Sequence, residues 1–153
     1  MPENELLRGV REIEHTADLG MEVEAGSLEE LFRRSAAGMM ALVRSTDDEH
    51  RPHQRHAPPD PRLIRIELDG GGEADVATLL VRWLRELLYL QEVAGFVYRD
   101  AAFERLDESG LRANVRPEPD PSPQIRELKG VTYHGLEVER VGDRWRARVI
   151  FDI

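Results

Sequence analysis

The sequence lacks cysteine altogether, and Lys129 is its only lysine. Without cysteine there is no disulfide, no thiol nucleophile and no zinc–thiolate site. The chain also lacks any apolar run approaching the ~20 residues that a membrane-spanning helix needs, and its N-terminus shows no basic-then-apolar signal pattern. These absences predict a soluble protein that is not associated with a membrane, with the cytoplasm as its default location.

Positive charge is in short supply, since 30 acidic residues oppose 21 basic ones and the net charge is −9. Phosphate backbones repel such a chain at long range, so autonomous binding of RNA or DNA is disfavoured, whereas docking onto a basic protein is favoured. The glycines at 70–72 lack the lysine and the spacing of a phosphate-binding loop. No serine or threonine has a recognisable base beside it. The sequence therefore predicts no catalytic site.

The length of 153 residues fits one domain spanning 1–153. Period-two alternation predicts a strand, long or bent, over Arg11–Ala25, in which Ile13 and His15 share a face with Leu19 and Met21 while Asp18 points away. Further strands are predicted at Leu63–Leu68, Phe96–Leu106, Leu111–Arg116, Val131–Arg140 and Arg144–Ile153. The last four of these form two hairpins.

Two helices follow from helical spacing and capping residues. Ser27 is the predicted N-cap of the first, with Glu30 reaching back to its N–H, and the helix runs to Val43. Asp75 caps the second, which ends near Gly95. Residues 44–61 are predicted to form a mobile loop and residues 117–127 an exposed, proline-rich loop. We expect an α+β two-layer sandwich, with both helices on one face of a mixed, mostly antiparallel sheet.

Carboxylates near the two ends of the chain are the main candidates for chemistry. Asp18 lies in the motif Glu14–Gly20 (EHTADLG), and the sequence ends at Phe151-Asp152-Ile153 with a free carboxylate. Asp152 and Asp18 both fall on the polar parity of their strands. If those strands are neighbours, three carboxylates converge, which favours calcium, magnesium or manganese. The alternatives are a solvated surface or an arginine between the carboxylates, with Arg146 and Arg148 as candidates.

Two further clusters have both a chemical and a structural explanation. Lys129, Tyr133 and His134 lie within six residues and suit phosphate binding or acid–base chemistry, but a strand entry with an aromatic core anchor and an edge histidine is the favoured explanation. His50, His53 and His56 lie in the proline-containing loop, where three imidazoles suit a transition metal only if the loop is rigid. We assign this histidine cluster no function.

Together, the motif Glu14–Gly20, the helical segment Trp83–Leu90, the run Lys129–His134 and the ending Phe151–Ile153 resemble the archease family. The resemblance covers nearly the whole chain in the expected order. Two departures are small, because a glycine at 130 stands where alanine is commoner, and Phe151 where leucine is commoner. Both affect packing and leave the candidate ligands in place.

The resemblance implies a function. Archeases assist the RtcB-type tRNA-splicing RNA ligase, promoting its guanylylation by GTP and its repeated turnover, without catalytic turnover of their own. It also implies a metal site, described with calcium, formed by Asp18, Asp152 and the terminal carboxylate of Ile153, with His15, Lys129, Tyr133 and His134 near it. Magnesium or manganese are alternative metals. The alternative functions are a chaperone-like or scaffolding module for RNA-processing proteins and, with less support, a metal-dependent hydrolase.

Overall fold

The computed structural model describes residues 5–15, 18–44, 63–69, 75–119 and 121–153. The described elements begin with a 3₁₀ turn, Glu5–Leu7. The rest are β1 (Val10–His15), β2 (Asp18–Ala25), α1 (Leu28–Val43), β3 (Ile64–Asp69), α2 (Val76–Ala94), β4 (Tyr98–Asp107), β5 (Gly110–Pro117), β6 (Gly130–Val141) and β7 (Arg144–Asp152).

Among these elements the strands form two sheets, ordered β1-β2-β7-β6 and β3-β5-β4, and every pair is antiparallel. The α+β class is confirmed, but the prediction of one mixed sheet was wrong. Strand patterns in a sequence do not specify partners, and here β3 pairs with β5 whereas β7 pairs with β2. Each helix contacts both sheets, α1 through β2 and β4, and α2 through β6, β3 and β4.

The predicted single strand Arg11–Ala25 is in fact a hairpin, β1 and β2, with His15 paired to Asp18. This reversal of the chain changes which residues lie on the same face of the sheet. Directly paired residues of antiparallel strands share a face, and Ile13 pairs with Gly20. Ile13 therefore shares a face with the even positions of β2 and does not share the core face of Leu19 and Met21 as predicted.

Both helix starts are as predicted. The Ser27 hydroxyl accepts from the Glu30 N–H at 3.1 Å, and the Asp75 carboxylate accepts from the Ala77 N–H at 2.9 Å. The Glu30 carboxylate accepts from the Gly26 N–H at 3.3 Å, and not from the N–H of Ser27 as predicted. Gly95 ends α2 in the left-handed conformation, with φ +67°.

An aromatic cluster joins the helices to the second sheet. The Phe103 ring of β4 lies 6.2 Å from the Phe32 ring of α1 and 5.1 Å from the Trp83 ring of α2, measured between centroids. Trp83 is fully buried, and its indole N–H donates to the Phe32 carbonyl at 3.1 Å. Each ring contributes apolar burial, and the hydrogen bond satisfies the one polar group of the Trp83 side chain.

The two predicted loops are described to different extents. Of the first, 44–61, only Arg44 lies within the described residues, and His50, His53 and His56 lie outside them. The second starts differently from the prediction, because Pro117 is the last residue of β5 and is buried. Further along, the Ile125 N–H donates to the Val43 carbonyl at 2.8 Å, so this segment covers the end of α1. No helix in the described part of the chain is long and apolar enough to cross a membrane.

Candidate functional site

One end of the first sheet gathers the predicted site residues into a single row across four strands. In this row His15 of β1 pairs with Asp18 of β2, and Asp152 of β7 pairs with Gly130 of β6. Strands β2 and β7 pair at Leu19 and Phe151, so the next position in the same register sets Asp18 against Asp152. The predicted neighbourhood of the two strands that carry Asp18 and Asp152 is thus present in the backbone.

Asp152 is the carboxylate of this row whose side chain is described. The side chain is exposed, while its backbone carbonyl accepts from the Lys129 N–H at 2.8 Å. Within the described residues no side chain donates to or pairs with the Asp152 carboxylate. Arg146, one of the two arginines considered as its partner, pairs instead with Glu139. An exposed carboxylate with no cationic partner among the described residues is a suitable ligand for a hard metal ion.

The other predicted ligands are placed only in part. The side chains of His15 and Asp18 lie outside the described residues, so the register fixes their backbone position alone. Ile153 follows β7 directly, and its side chain is about half exposed. Among the described side chains no group of three acidic or histidine residues is spaced to hold a metal. The donors that are present, carboxylate oxygens at the end of a sheet, fit calcium, magnesium or manganese by their chemistry.

A small apolar cluster lies on the same face of the sheet, one row inside the carboxylates. Its centre is Gly20, where an added Cβ would come within 2.8 Å of both the Ile13 and the Ile150 side chains. Ile150 is 1% exposed although it lies on the face opposite the main core, and Gly135 also approaches it. A side chain at position 20 of the EHTADLG motif would therefore displace one of the two isoleucines, so packing favours glycine there. The sequence pattern alone gave no sign of this role.

The predicted segment Lys129–His134 starts at the row and then leaves it. Lys129 is exposed and lies beside Asp152 through its backbone N–H. Tyr133 and His134 are also exposed, but they lie further along β6, where its pairing with β7 is interrupted between Thr132 and Glu137. The guanidinium of Arg85 lies over the Tyr133 ring at 4.7 Å. The sequence pattern predicted a core helix around Arg85 and gave no sign of this contact.

The acidic residues near α1 contribute less free charge than their number indicates. Glu22 pairs with Arg11, and Glu30 pairs with Arg34. Further along the first sheet Glu139 is paired with Arg146. Arginines thus pair with some of the carboxylates on this surface, whereas Asp152 has no such partner within the described residues.

Comparison with known proteins gives one family. The model of the Archease protein family (MTH1598/TM1083) matches residues 11–153. The chain is 31% identical over 148 residues to the archease of Methanopyrus kandleri, with 93% of this chain and 97% of that protein covered. It is 30% identical over 147 residues to the archease of Pyrococcus furiosus, with 92% and 95% covered.

Solved structures agree with this result. The solution structure of protein 1598 from Methanobacterium thermoautotrophicum matches with a TM-score of 0.64 and 25% identity, covering 95% of this chain and 99% of that one. A crystal structure from Thermotoga maritima, described as an archease and possible chaperone, matches with a TM-score of 0.57 and 22% identity over 94% and 96%. This second likeness is one of fold alone. The sequence motifs, the sheet that aligns them and the family model together show that this chain belongs to the archease family.

Proposed function

We propose that this protein activates an RtcB-type RNA ligase, promoting its GTP-dependent guanylylation and its multiple turnover. The observation that carries the proposal is the row at the end of the first sheet, in which Asp18 and Asp152 occupy facing positions and Asp152 has no partner among the described residues. Family membership supports the same function, and the net charge of −9 suits docking onto a basic RNA-binding enzyme.

Asp18, Asp152 and the terminal carboxylate of Ile153 would hold a divalent cation, with calcium the first candidate and magnesium or manganese the alternatives. Three carboxylates brought together repel one another strongly unless a cation lies between them. The bound cation would supply positive charge for phosphate oxygens at the ligase active site. The chain's own residues have two tasks: the carboxylates bind, and the Ile13–Ile150 cluster packs beside the row on the same face of the sheet.

In this proposal the protein is an accessory factor with no catalytic turnover of its own. The ligase binds GTP and RNA, and this protein contributes its acidic end. We place the pair in the cytoplasm. His15 and Lys129 join the row by register and by the backbone bond to Asp152, and we propose that they contact the ligase or its nucleotide.

The test is ligation of RNA in excess over the cognate ligase, with GTP and manganese, in the presence and absence of this protein. We expect continued turnover with the protein and a stall after about one product per ligase without it. If an active ligase shows the same turnover in both reactions, the activator function is wrong. In that case the second candidate function, that of a general chaperone, becomes the leading one. It is favoured by the description of the Thermotoga maritima protein, and it predicts suppressed aggregation of unrelated clients without any metal.

A further inference from the structure

Strand β6 carries a large bulge close to the acidic row. Thr132 pairs with Ile150 and Glu137 pairs with Arg148, so residues 133–136 of β6 lie opposite the single position 149 of β7. Gly135 makes this possible with a φ of +67°, and its Cβ position lies 3.3 Å from the Ile150 side chain. Bulges of this kind redirect side chains beside functional sites.

Arg85 of α2 holds the start of this bulge. Its Nε and Nη2 both donate to the Val131 carbonyl, at 3.0 and 2.8 Å, and its guanidinium lies 4.7 Å from the centroid of the Tyr133 ring. The two hydrogen bonds restrain the guanidinium, and the Tyr133 ring lies against it. Tyr133 nevertheless remains 48% exposed. A large aromatic side chain is thus held on one side by a cation and open to solvent on the other.

The same strand fixes this ring relative to the acidic row. Gly130 pairs with Asp152, and Lys129 donates its backbone N–H to the Asp152 carbonyl. Tyr133 is three residues further along, which corresponds to about 10 Å of extended chain. Strand β6 lies at the edge of the first sheet, so a protein that binds the row and extends past this edge would reach the ring.

We propose that Tyr133 is a docking residue for the ligase and that Arg85 is a positioning residue that acts through it. The proposal rests on the activator function proposed above and deepens it by naming a contact. Tyrosine and arginine are enriched among the residues that dominate binding energies. A ring that is already held in place loses little conformational entropy on binding, so the stack increases affinity for the partner.

The experiment measures the concentration of this protein that half-activates ligase guanylylation, together with the maximal rate at saturation. Tyr133→Ala and Arg85→Ala are each expected to raise the half-activating concentration about tenfold. Both variants should leave the maximal rate unchanged, because the acidic row is intact. Tyr133→Phe keeps the ring and should behave like the wild type. Arg85→Lys keeps the charge but loses the paired hydrogen bonds, so it should fall between wild type and Arg85→Ala.

The double variant Arg85→Ala/Tyr133→Ala distinguishes positioning from independent contact. If Arg85 acts through Tyr133, the double variant is no worse than either single variant; additive losses would contradict the positioning role. Two controls lie at the far end of β6: Val141→Ala removes an exposed apolar side chain, and Arg140→Ala removes the contact with Trp145. Both controls should activate like the wild type.

The outcomes separate the two proposals. If the wild-type protein fails to activate an active ligase, the activator function is wrong, and the docking proposal is wrong with it. If the wild type activates and Tyr133→Ala shows an unchanged half-activating concentration, the docking proposal alone is wrong. Thermal unfolding of each variant completes the test: if the activation loss of Arg85→Ala disappears when the assay is run well below its unfolding temperature, Arg85 is only structural and the positioning role is wrong.

Discussion

The carboxylates on the outer surfaces of the two sheets differ in whether an arginine pairs with them. On the second sheet Glu67 pairs with Arg65 and Arg112, at 3.3 and 2.9 Å, and Glu104 pairs with Arg65 at 3.3 Å. At the end of the first sheet Asp152 is exposed and has no partner within the described residues. A carboxylate paired by its own protein neutralises a surface, whereas one left unpaired is available to an external cation. The proposed metal site uses a carboxylate of the second kind.

The largest expected effect follows from removing the unpaired carboxylate. Asp152→Asn should reduce ligase activation at least ~100-fold if the carboxylate binds a metal, because a single lost ligand or its supporting partner weakens metal sites by factors of this order. The matched control is Glu104→Gln on the second sheet, which should activate normally. The free energy of unfolding should change by less than ~0.5 kcal/mol in both variants, because both positions are exposed. Equal activation by Asp152→Asn and the control would remove the distinction between the two surfaces.

The second prediction concerns the terminal carboxylate of Ile153 as a metal ligand. One residue added after Ile153 converts that carboxylate into an amide and should impair activation about as much as Asp152→Asn, because both changes take one charge from the same proposed site. A residue added at the N-terminus is the control. Direct titration with calcium or manganese should show weaker binding by the C-terminally extended protein. Unchanged metal affinity and activation would exclude this carboxylate as a ligand.

A smaller effect concerns the ion pair that links α1 to the second sheet. Arg33 donates to both Asp100 oxygens at 2.9 Å, and the Ala101 N–H donates to one of them at 2.8 Å. Burial raises the pKa of Asp100, but these hydrogen bonds outweigh burial and hold the pKa below its ordinary value of 3.8. Asp100→Asn should cost about 1–2 kcal/mol of unfolding free energy at neutral pH, allowing for partial exposure of the pair.

The pH dependence of this effect has a definite sign. Because the folded-state pKa of Asp100 is depressed, the stabilisation is complete above the unfolded-state value and is lost as the pH falls through the folded-state value. Urea unfolding of wild type and Asp100→Asn should therefore show a constant difference near neutral pH, which shrinks below about pH 3.8. A difference that grew on acidification would contradict the assignment. Activation of the ligase at neutral pH should be unaffected, which separates this surface from the acidic row.

The smallest effect is expected from the second sheet's own ion pairs. Glu67→Gln removes two exposed arginine contacts and should change the free energy of unfolding by about 0.5 kcal/mol or less, since exposed ion pairs contribute little. Even that change should diminish in high salt. Unfolding measured at low and high ionic strength tests both statements. A loss of several kcal/mol would mean that this surface is a cooperative network rather than a solvated face.

The sequence by itself determined the local structure of this protein. The caps at Ser27 and Asp75, the left-handed Gly95 and the hairpins β4–β5 and β6–β7 all follow from residues a few positions apart, and the structure confirms each of them. The α+β class followed from the order of these elements, and the candidate carboxylates followed from their motifs.

Only the tertiary structure decided which strands are neighbours. Two residues separate β1 from β2 in the sequence, and the alternation of polar and apolar residues continues across them without a sign of the reversal. The true face of Ile13 appears only in the pairing. The division into two sheets, the register that sets Asp18 against Asp152 and the contact of Arg85 with Tyr133 likewise join residues far apart in the chain. Periodicity records which side of an element is buried, but pairing energies between distant strands choose the partner, and those energies depend on the assembled core.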